Sequence, residues 1–323
     1  MKIEEFTHYS TDGIHNIYVK AHIPDCHPKA VIHIIHGVAE HIGRYDDFAR
    51  EMCKRGYLVY GADLLGHGRS ISSEDEICYF AEKDGWMTVC RDIKLLSEIM
   101  RARYPATFYL FGHSMGSFLA RTIYYKRLFP IDGLILSGSG TMSLLKIKAA
   151  RFIAKREYKK LANKKGSSKL INSLAFGGYN KRVSKNPRTK SDWISSDRDE
   201  VDKYIADPLC GADASVSLFL DMLDGLEFIN TNSNAQKVKK TIPVFIASGT
   251  KDPVGDMGKG PQKIKKVLKA AGVKSVRLRL YDGMHHEILH DRSKNAFIDD
   301  LDQWMRVLSD REKEKSRSTS GQG

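Results

Sequence analysis

The sequence predicts an α/β fold: a mostly parallel central sheet flanked by helices, with an inserted helical segment. Three observations predict it. Short β-branched or aromatic runs alternate with longer amphipathic ones, the pattern of βα units on a parallel sheet. The alternation stops between Gly140 and Thr241, where apolar positions fall at helical spacing instead. The chain has 323 residues with 41% hydrophobic content, enough for one large domain carrying an insertion.

Taken in order, the segments Glu5 to Ser10 and Ile14 to His22 around Thr11-Asp12-Gly13 predict an antiparallel hairpin at the sheet edge. Strands are expected at Ala30 to Ile35, Leu58 to Gly61, Phe108 to Phe111, Gly133 to Ser137, Pro243 to Ala247 and Val276 to Leu280. Helices fit Tyr45 to Lys54, Gly85 to Arg103, Met115 to Leu128, Gly260 to Ala270 and Lys294 to Leu308. The expected core covers 1–140 and 233–311, and the helical cap 141–232. Residues 312–323, charged and small, are expected to form a disordered tail.

Composition removes several classes of function. The N-terminus MKIEEFTHYS lacks a basic segment followed by an apolar run, and no window approaches eighteen uninterrupted apolar residues. A cytoplasmic location is the expectation. Cys26, Cys53, Cys78, Cys90 and Cys210 are scattered and never in C-x-x-C, so neither a disulfide framework nor a sulfur metal site is implied.

The formal charge of +13 is concentrated. Between Leu144 and Lys169 lie ten cations against Glu157 alone. Lys148, Arg151, Lys155 and Lys159 would form one stripe of a helix, beside an apolar stripe of Ile147, Ala150, Ala154 and Tyr158. Such a stripe is either a solvated face or a surface that meets anionic lipid, placing the protein at the periphery of a membrane. No nucleic-acid motif accompanies it, so nucleic acid is not an expected partner.

Phe111-Gly112-His113-Ser114-Met115-Gly116 contains the chain's one G-x-S-x-G, where a strand ends and a helix begins. Three fixed positions recur by chance in roughly one such chain in ten, so the context carries the weight. In that context the serine projects from a sharp turn at the strand's C-terminal edge. The helix N-terminus behind it offers backbone N–H groups to an oxyanion. Upstream, Val31 to Ile35 runs into His36-Gly37-Val38-Ala39-Glu40-His41. That turn can aim the Val38 N–H at the oxygen that the Met115 N–H would hold, giving an oxyanion hole. A metal site at His33, His36 and His41 is disfavoured, because residues three apart on a strand point to opposite faces.

Downstream, Asp252 stands just beyond the strand at Pro243 to Ala247, and the next strand leads into Tyr281-Asp-Gly-Met-His-His286. Nucleophile, acid and histidine thus occur in the order Ser114, Asp252, His286, each after a strand, which is the order of an α/β-hydrolase triad. A competing motif overlaps it. His286-Glu287-Ile288-Leu289-His290 is a literal H-E-x-x-H, the zinc protease spacing. That site would need a third ligand, and Ser293 and Ala296 stand where the longer zinc signature needs Gly and His. No metal and no cofactor are therefore expected.

These residues resemble the monoacylglycerol lipase and lysophospholipase branch of the α/β-hydrolase superfamily. The likeness runs nearly end to end, through HGVAEHIGRY from His36, GADLLGHGRS from Gly61, GHSMGS from Gly112, SDWISSDRDEVDKYIADPLCG from Ser191, GTKDPVG from Gly249 and YDGMHHEILHD from Tyr281. It places the catalytic histidine three residues after Gly283, selecting His286 over His285. Family members often carry Arg where His285 stands and Asn where His290 stands, so two substitutions account for the zinc-like motif.

The resemblance implies a serine esterase with a cap, cleaving one acyl chain from glycerol or a glycerophosphate headgroup. It also implies that Glu40, Arg44 and His113 lie near the alcohol pocket. For Glu40 and Arg44 the alternative is a local salt bridge that orders the oxyanion loop. The apolar run Val216 to Ile229 is a candidate wall for an acyl tunnel, or ordinary packing of cap on core. Asp63, His67 and Ser70 read as loop-settling residues. Two rivals stay open: a thioesterase, amidase or peptidase using the same triad, and a non-catalytic relative that binds a ligand.

Overall fold

The computed structural model describes residues 1–320, with backbone alone for 312 and 315–320. Its strands, numbered in chain order, are β1 (Lys2–Tyr9), β2 (Asn16–Ile23), β3 (Ala30–Ile35), β4 (Leu58–Ala62), β5 (Thr107–His113), β6 (Gly133–Ser137), β7 (Val244–Gly249) and β8 (Val276–Tyr281). They form one open sheet in the order β1-β2-β4-β3-β5-β6-β7-β8. β1 and β2 pair antiparallel with each other, β2 antiparallel with β4, and every later pair is parallel.

The helices are α1 (Asp46–Lys54), α2 (Gly85–Arg103), α3 (Met115–Lys126), α4 (Leu144–Lys160), α5 (Lys169–Phe176), α6 (Tyr179–Val183), α7 (Arg198–Ala206), α8 (Val216–Asn230), α9 (Asn232–Ala235), α10 (Lys259–Ala270) and α11 (Lys294–Ser320). None is long and apolar enough to cross a membrane, among the described residues. Of the segment 312–323, expected as a tail, the backbone continues α11 to Ser320, and 321–323 lie outside the described residues.

The all-apolar strands follow from the two-sided cover. Parallel strands are buried on both faces, so they read as continuous apolar runs. Val31, Ile35, Phe108, Leu110, Leu134 and Leu136 face the core that contains α2 and α3. Ile32, Ile34, Tyr109 and Phe111 face the opposite core, with Phe48 and Met52 of α1 and Phe297, Leu301 and Trp304 of α11. The last three recur at i, i+4 and i+7, one stripe of a helix. Helix α3 stops two residues before the expected Leu128 because Arg127 takes a left-handed φ of 56°, which ends the hydrogen-bond ladder.

Between β6 and β7 the chain makes α4 to α9 without adding a strand to the sheet. Helix α4 buries Ile147 and Ala154 and leaves Lys148, Lys155 and Lys159 exposed, as its stripes predict. Arg151 is the exception, because it pairs with Asp224 and Glu227 on α8. Helix α8 packs against α3 and α4 and buries Leu218, Phe219, Leu223, Leu226 and Ile229.

Two contacts fasten this segment to the sheet layer. Asp221 of α8 lies against the start of α2, where the backbone N–H groups of Trp86 and Gly85 partly hold its carboxyl down and the helix lacks a side-chain cap of its own. Burial, then the neighbouring Asp224, push its carboxyl up to about 7. Arg121 of α3, only 2% exposed, donates to the Gly140 carbonyl at 3.0 Å and the Ile229 carbonyl at 3.2 Å. One guanidinium thus ties the chain just after β6 to the end of α8. The Ile229 carbonyl lies in the last turn of α8, whose partial negative charge suits a cation.

Candidate active site

Strand β5 ends at His113 and helix α3 begins at Met115, so Ser114 alone makes the turn. Its φ of 51° and ψ of −121° lie where a side chain is strained, at a cost of about 1–3 kcal/mol. The flanking glycines make the turn possible by closeness rather than by flexibility. A Cβ on Gly112 would stand 2.4 Å from the Gly116 carbonyl oxygen, and one on Gly116 only 2.1 Å from that of Ile35. The Ser114 N–H donates to the Ser137 carbonyl at 3.0 Å, pinning the elbow to β6.

Asp252 follows β7 and is fully buried. His286 Nδ1 donates to Asp252 Oδ1 at 2.9 Å, the Val254 N–H donates to the same oxygen at 2.9 Å, and Ser248 Oγ donates to Oδ2 at 3.1 Å. Burial alone would raise the Asp252 carboxyl. The charge and hydrogen bond of His286, with backbone N–H groups of Gly255 and Val254, outweigh it and hold the group below its ordinary value. His286 is shifted the other way: burial would lower it, but Asp252, then Glu287 and Glu40, raise it above the ordinary 6.5.

The adjacent histidine is elsewhere. His285 Nδ1 donates to the Asp192 carbonyl at 2.9 Å. His113 lies 4.8 Å from His286, ring to ring, with Nδ1 3.2 Å from Ser137 Oγ. Burial and then the His286 charge lower it to about 4, so it stays neutral.

The loop after β3 carries Gly37 to Glu40. A Cβ on Gly37 would sit 2.8 Å from Glu40 Oε1 and 3.1 Å from Ser114 Cβ, so the loop lies directly on the serine. Glu40 Oε1 accepts from the Gly37 N–H at 2.5 Å and from Tyr45 Oη at 3.0 Å. Arg44 Nη1 donates to Glu40 Oε2 at 2.8 Å and to Glu287 Oε1 at 2.9 Å, and Nη2 donates to Glu287 Oε2 at 2.6 Å. Burial would push both carboxyls up. Arg44 outweighs it, holding Glu40 below and Glu287 well below the ordinary value.

Val38, Glu40, His113, Ser114 and His286 line one cavity of about 640 Å³, walled on the far side by Phe176, Trp193, Ile194 and Tyr204. Two expectations change here. Arg44 stands behind the cavity rather than in its wall, with its guanidinium occupied by the two glutamates and 4.8 Å above the Tyr204 ring. Helix α8 contributes no lining residue, because its apolar side is buried among helices; Phe219 touches the wall only by backing Phe176 at 5.8 Å. Met115 is buried at the first position of α3, next to the serine.

Two residues that pattern reading did not single out are prominent. The Trp193 ring lies 5.0 Å from that of His286, and the His286 N–H donates to the Trp193 carbonyl at 3.4 Å. Tyr204 Oη donates to the Ala39 carbonyl at 3.1 Å, bracing the loop after β3. Both lie in the SDWISSDRDEVDKYIADPLCG stretch, whose signal is the resemblance and not periodicity. Asp63, His67 and Ser70 do settle loops: Asp63 accepts from the Ile42 and Arg69 N–H groups and Ser70 Oγ from that of Tyr18, while His67 Nδ1 donates to the Leu65 carbonyl at 2.9 Å.

The H-E-x-x-H segment is not an α-helix. It runs through a loop into a short 3-10 turn at Ile288–His290, and His290 Nε2 donates to the Arg44 carbonyl while His286 meets Asp252. Among the described residues His41, Asp207 and Cys210 are close enough to share an ion. Their hydrogen bonds oppose it. The Gly43 N–H donates to His41 Nδ1, which leaves the ring proton on Nε2, donated to Asp207 at 2.8 Å.

Known proteins resemble this chain in sequence and fold. Residues 26–293 match the family described as serine aminopeptidase, S33. A rat monoglyceride lipase is 26% identical over 295 residues, covering 87% of this chain and 84% of the lipase. A thermostable carboxyl esterase from Bacillus coagulans, solved in complex with glycerol, gives a TM-score of 0.87 at 26% identity over 95% of this chain and 99% of that one. A soluble variant of the Saccharomyces cerevisiae monoglyceride lipase, solved with a substrate analog, gives 0.76 at 19% identity over 95% and 96%, a likeness of fold.

Proposed function

We propose that this chain, which belongs to the serine aminopeptidase S33 family of α/β-hydrolases, removes a single acyl chain from glycerol or a glycerophosphate headgroup through an acyl-serine intermediate. His286 Nε2 takes the Ser114 proton as Oγ attacks the acyl carbonyl. The Val38 and Met115 N–H groups hold the oxyanion. His286 then protonates the leaving alcohol and, in the second half, draws a proton from the water that releases the fatty acid. Asp252 stays ionised throughout and keeps the His286 proton on Nδ1.

The observation that carries this reading is the cavity of about 640 Å³ holding Ser114 and His286 beneath Phe176, Trp193 and Ile194. A linear acyl chain gains about 0.8 kcal/mol per methylene on leaving water for such a wall. The segment 141–232 is, on this reading, the cap that supplies it. An aminopeptidase would need a carboxylate for the substrate's α-amino group. Of the three acids that line the cavity, Glu40 and Glu287 are already bonded to Arg44, which leaves only the exposed Asp213 for that role.

The deciding experiment measures fatty-acid release from mono-oleoylglycerol, from a lysophospholipid and from the amide of the same acyl chain. Release from either ester, with the amide slower by orders of magnitude, is expected. Faster release from the amide would replace the lipase reading with an amidase.

The same helices supply a surface for lipid. Leu145 is 79% exposed, Phe152 64% and Leu174 62%, on helices α4 and α5, among exposed Lys146, Lys148, Lys155, Arg156 and Lys159. Helix α5 also lines the cavity with Lys169, Ser173 and Phe176, so a lipid surface docked here would lie against the cavity wall. Binding to vesicles containing anionic phospholipid is expected, falling steeply with added salt and falling again in a Leu145→Ser, Phe152→Ser double variant. Salt-independent binding, or none, removes the membrane from this account.

A further inference from the structure

We infer that Arg44 is a positioning residue: it locks the oxyanion loop to the histidine loop and holds two carboxylates beside His286 as a single net negative charge. The inference rests on the serine-hydrolase reading for its meaning, but its geometry is independent of it. Glu40 belongs to the loop that crosses Ser114, and its Oε1 fixes the Gly37 N–H. Glu287 directly follows His286, and its own N–H donates to the Ile194 carbonyl at 2.7 Å. The planar fork of Arg44 joins them, reaching Glu287 across 243 residues of sequence.

The burial makes the join obligatory. Glu40 and Glu287 side chains are 3% and 6% exposed and Arg44 8% exposed. Two carboxylates that close and that dry would repel strongly, and one would take up a proton without a cation between them. A lysine cannot serve, since a point ammonium lacks the fork that reaches both acids at once. His290 seals the unit: its Nδ1 lies 3.3 Å from Glu287 Oε2 and its Nε2 donates to the Arg44 carbonyl.

Counted over Glu40, Glu287 and Arg44 the charge is minus one, with His290 the further titratable ring in contact with Glu287. In the proposed reaction His286 becomes an imidazolium as the oxyanion forms, and a fixed nearby anion stabilises that cation. The groups facing His286 are Asp252 after β7, Glu287 in its own loop, Glu40 in the oxyanion loop and His113 at the end of β5. Trp193 adds an uncharged ring, and Tyr179 of α6 lies near Asp252. Asp252 aligns the ring; Glu287 adds a field from the histidine's own loop and Glu40 from the loop after β3.

The test titrates the His286 ring by NMR in the native protein and in Glu287→Gln, and follows the acid limb of kcat/KM on a soluble short-chain ester. Loss of the charge is expected to lower the His286 midpoint by about one pH unit and to move the acid limb with it. Identical midpoints in the two proteins would overturn the inference. Arg44→Lys, folded as judged by near-UV circular dichroism, is expected to lose about ten- to a hundredfold in kcat with KM changed far less. An unchanged kcat would also overturn it. A lowered midpoint in a protein that hydrolyses no ester would leave the inference intact and refute the proposed function instead.

Discussion

Replacing Ser114 by alanine is expected to lower ester hydrolysis by about a millionfold in kcat, the size of effect found when a serine nucleophile is removed from a triad that works as a unit. The loss should leave the fold intact. Ser114 keeps its place through its backbone, by the N–H bond to Ser137 and the packing of Gly112 and Gly116, and alanine removes only Oγ. A strained φ of 51° is no worse for alanine than for serine. The native protein should also react covalently with a fluorophosphonate and the variant should not, while a chelator should leave native activity unchanged. Full activity in the alanine variant would mean that the elbow is structural and that the hydrolytic centre lies elsewhere.

The second large effect separates two neighbours. His286→Ala is expected to cost about 10⁴-fold or more in kcat, whereas His285→Ala should stay within a few-fold of native. His286 holds the bond to Asp252; His285 meets the backbone carbonyl of Asp192. The pH profile of the native enzyme gives the same residue a signature. The reaction needs a neutral imidazole, and Asp252 with the glutamates raises the His286 midpoint above 6.5. Activity should therefore be present above that midpoint and be lost as pH falls through it, earlier than an ordinary histidine would lose it. A loss of activity in His285→Ala equal to that in His286→Ala would reverse the assignment.

That Ser114, Asp252 and His286 would gather at one edge was legible because each follows a strand, and a parallel sheet brings the C-terminal ends of its strands together. Ser114, Asp252 and His286 needed no knowledge of distance beyond that. The choice between His285 and His286 did need more, since adjacent loop residues carry no periodic signal; the family likeness supplied it and the Asp192 carbonyl gives the physical reason. Val216 to Ile229 shows the opposite case. An apolar helical stripe looks the same whether it faces a ligand or a neighbouring helix, and here α3 and α4 cover it. The actual wall comes from the end of the short helix α5 at Phe176 and from the loop carrying Trp193 and Ile194, segments too short for a stripe to mark them. Least legible was the bond from Arg44 to Glu287, because charge pairing across the whole chain is decided by which loops the topology brings together.

The grip of Arg121 on Gly140 and Ile229 has a further consequence. The residues between those two carbonyls form an excursion whose two ends are held by a single side chain, so shortening Arg121 would free both ends at once. The middle of the excursion would stay tied to the reaction centre, through the Trp193 and Ile194 carbonyls that accept from the backbone of His286 and Glu287 and through the Tyr204 hydroxyl on Ala39.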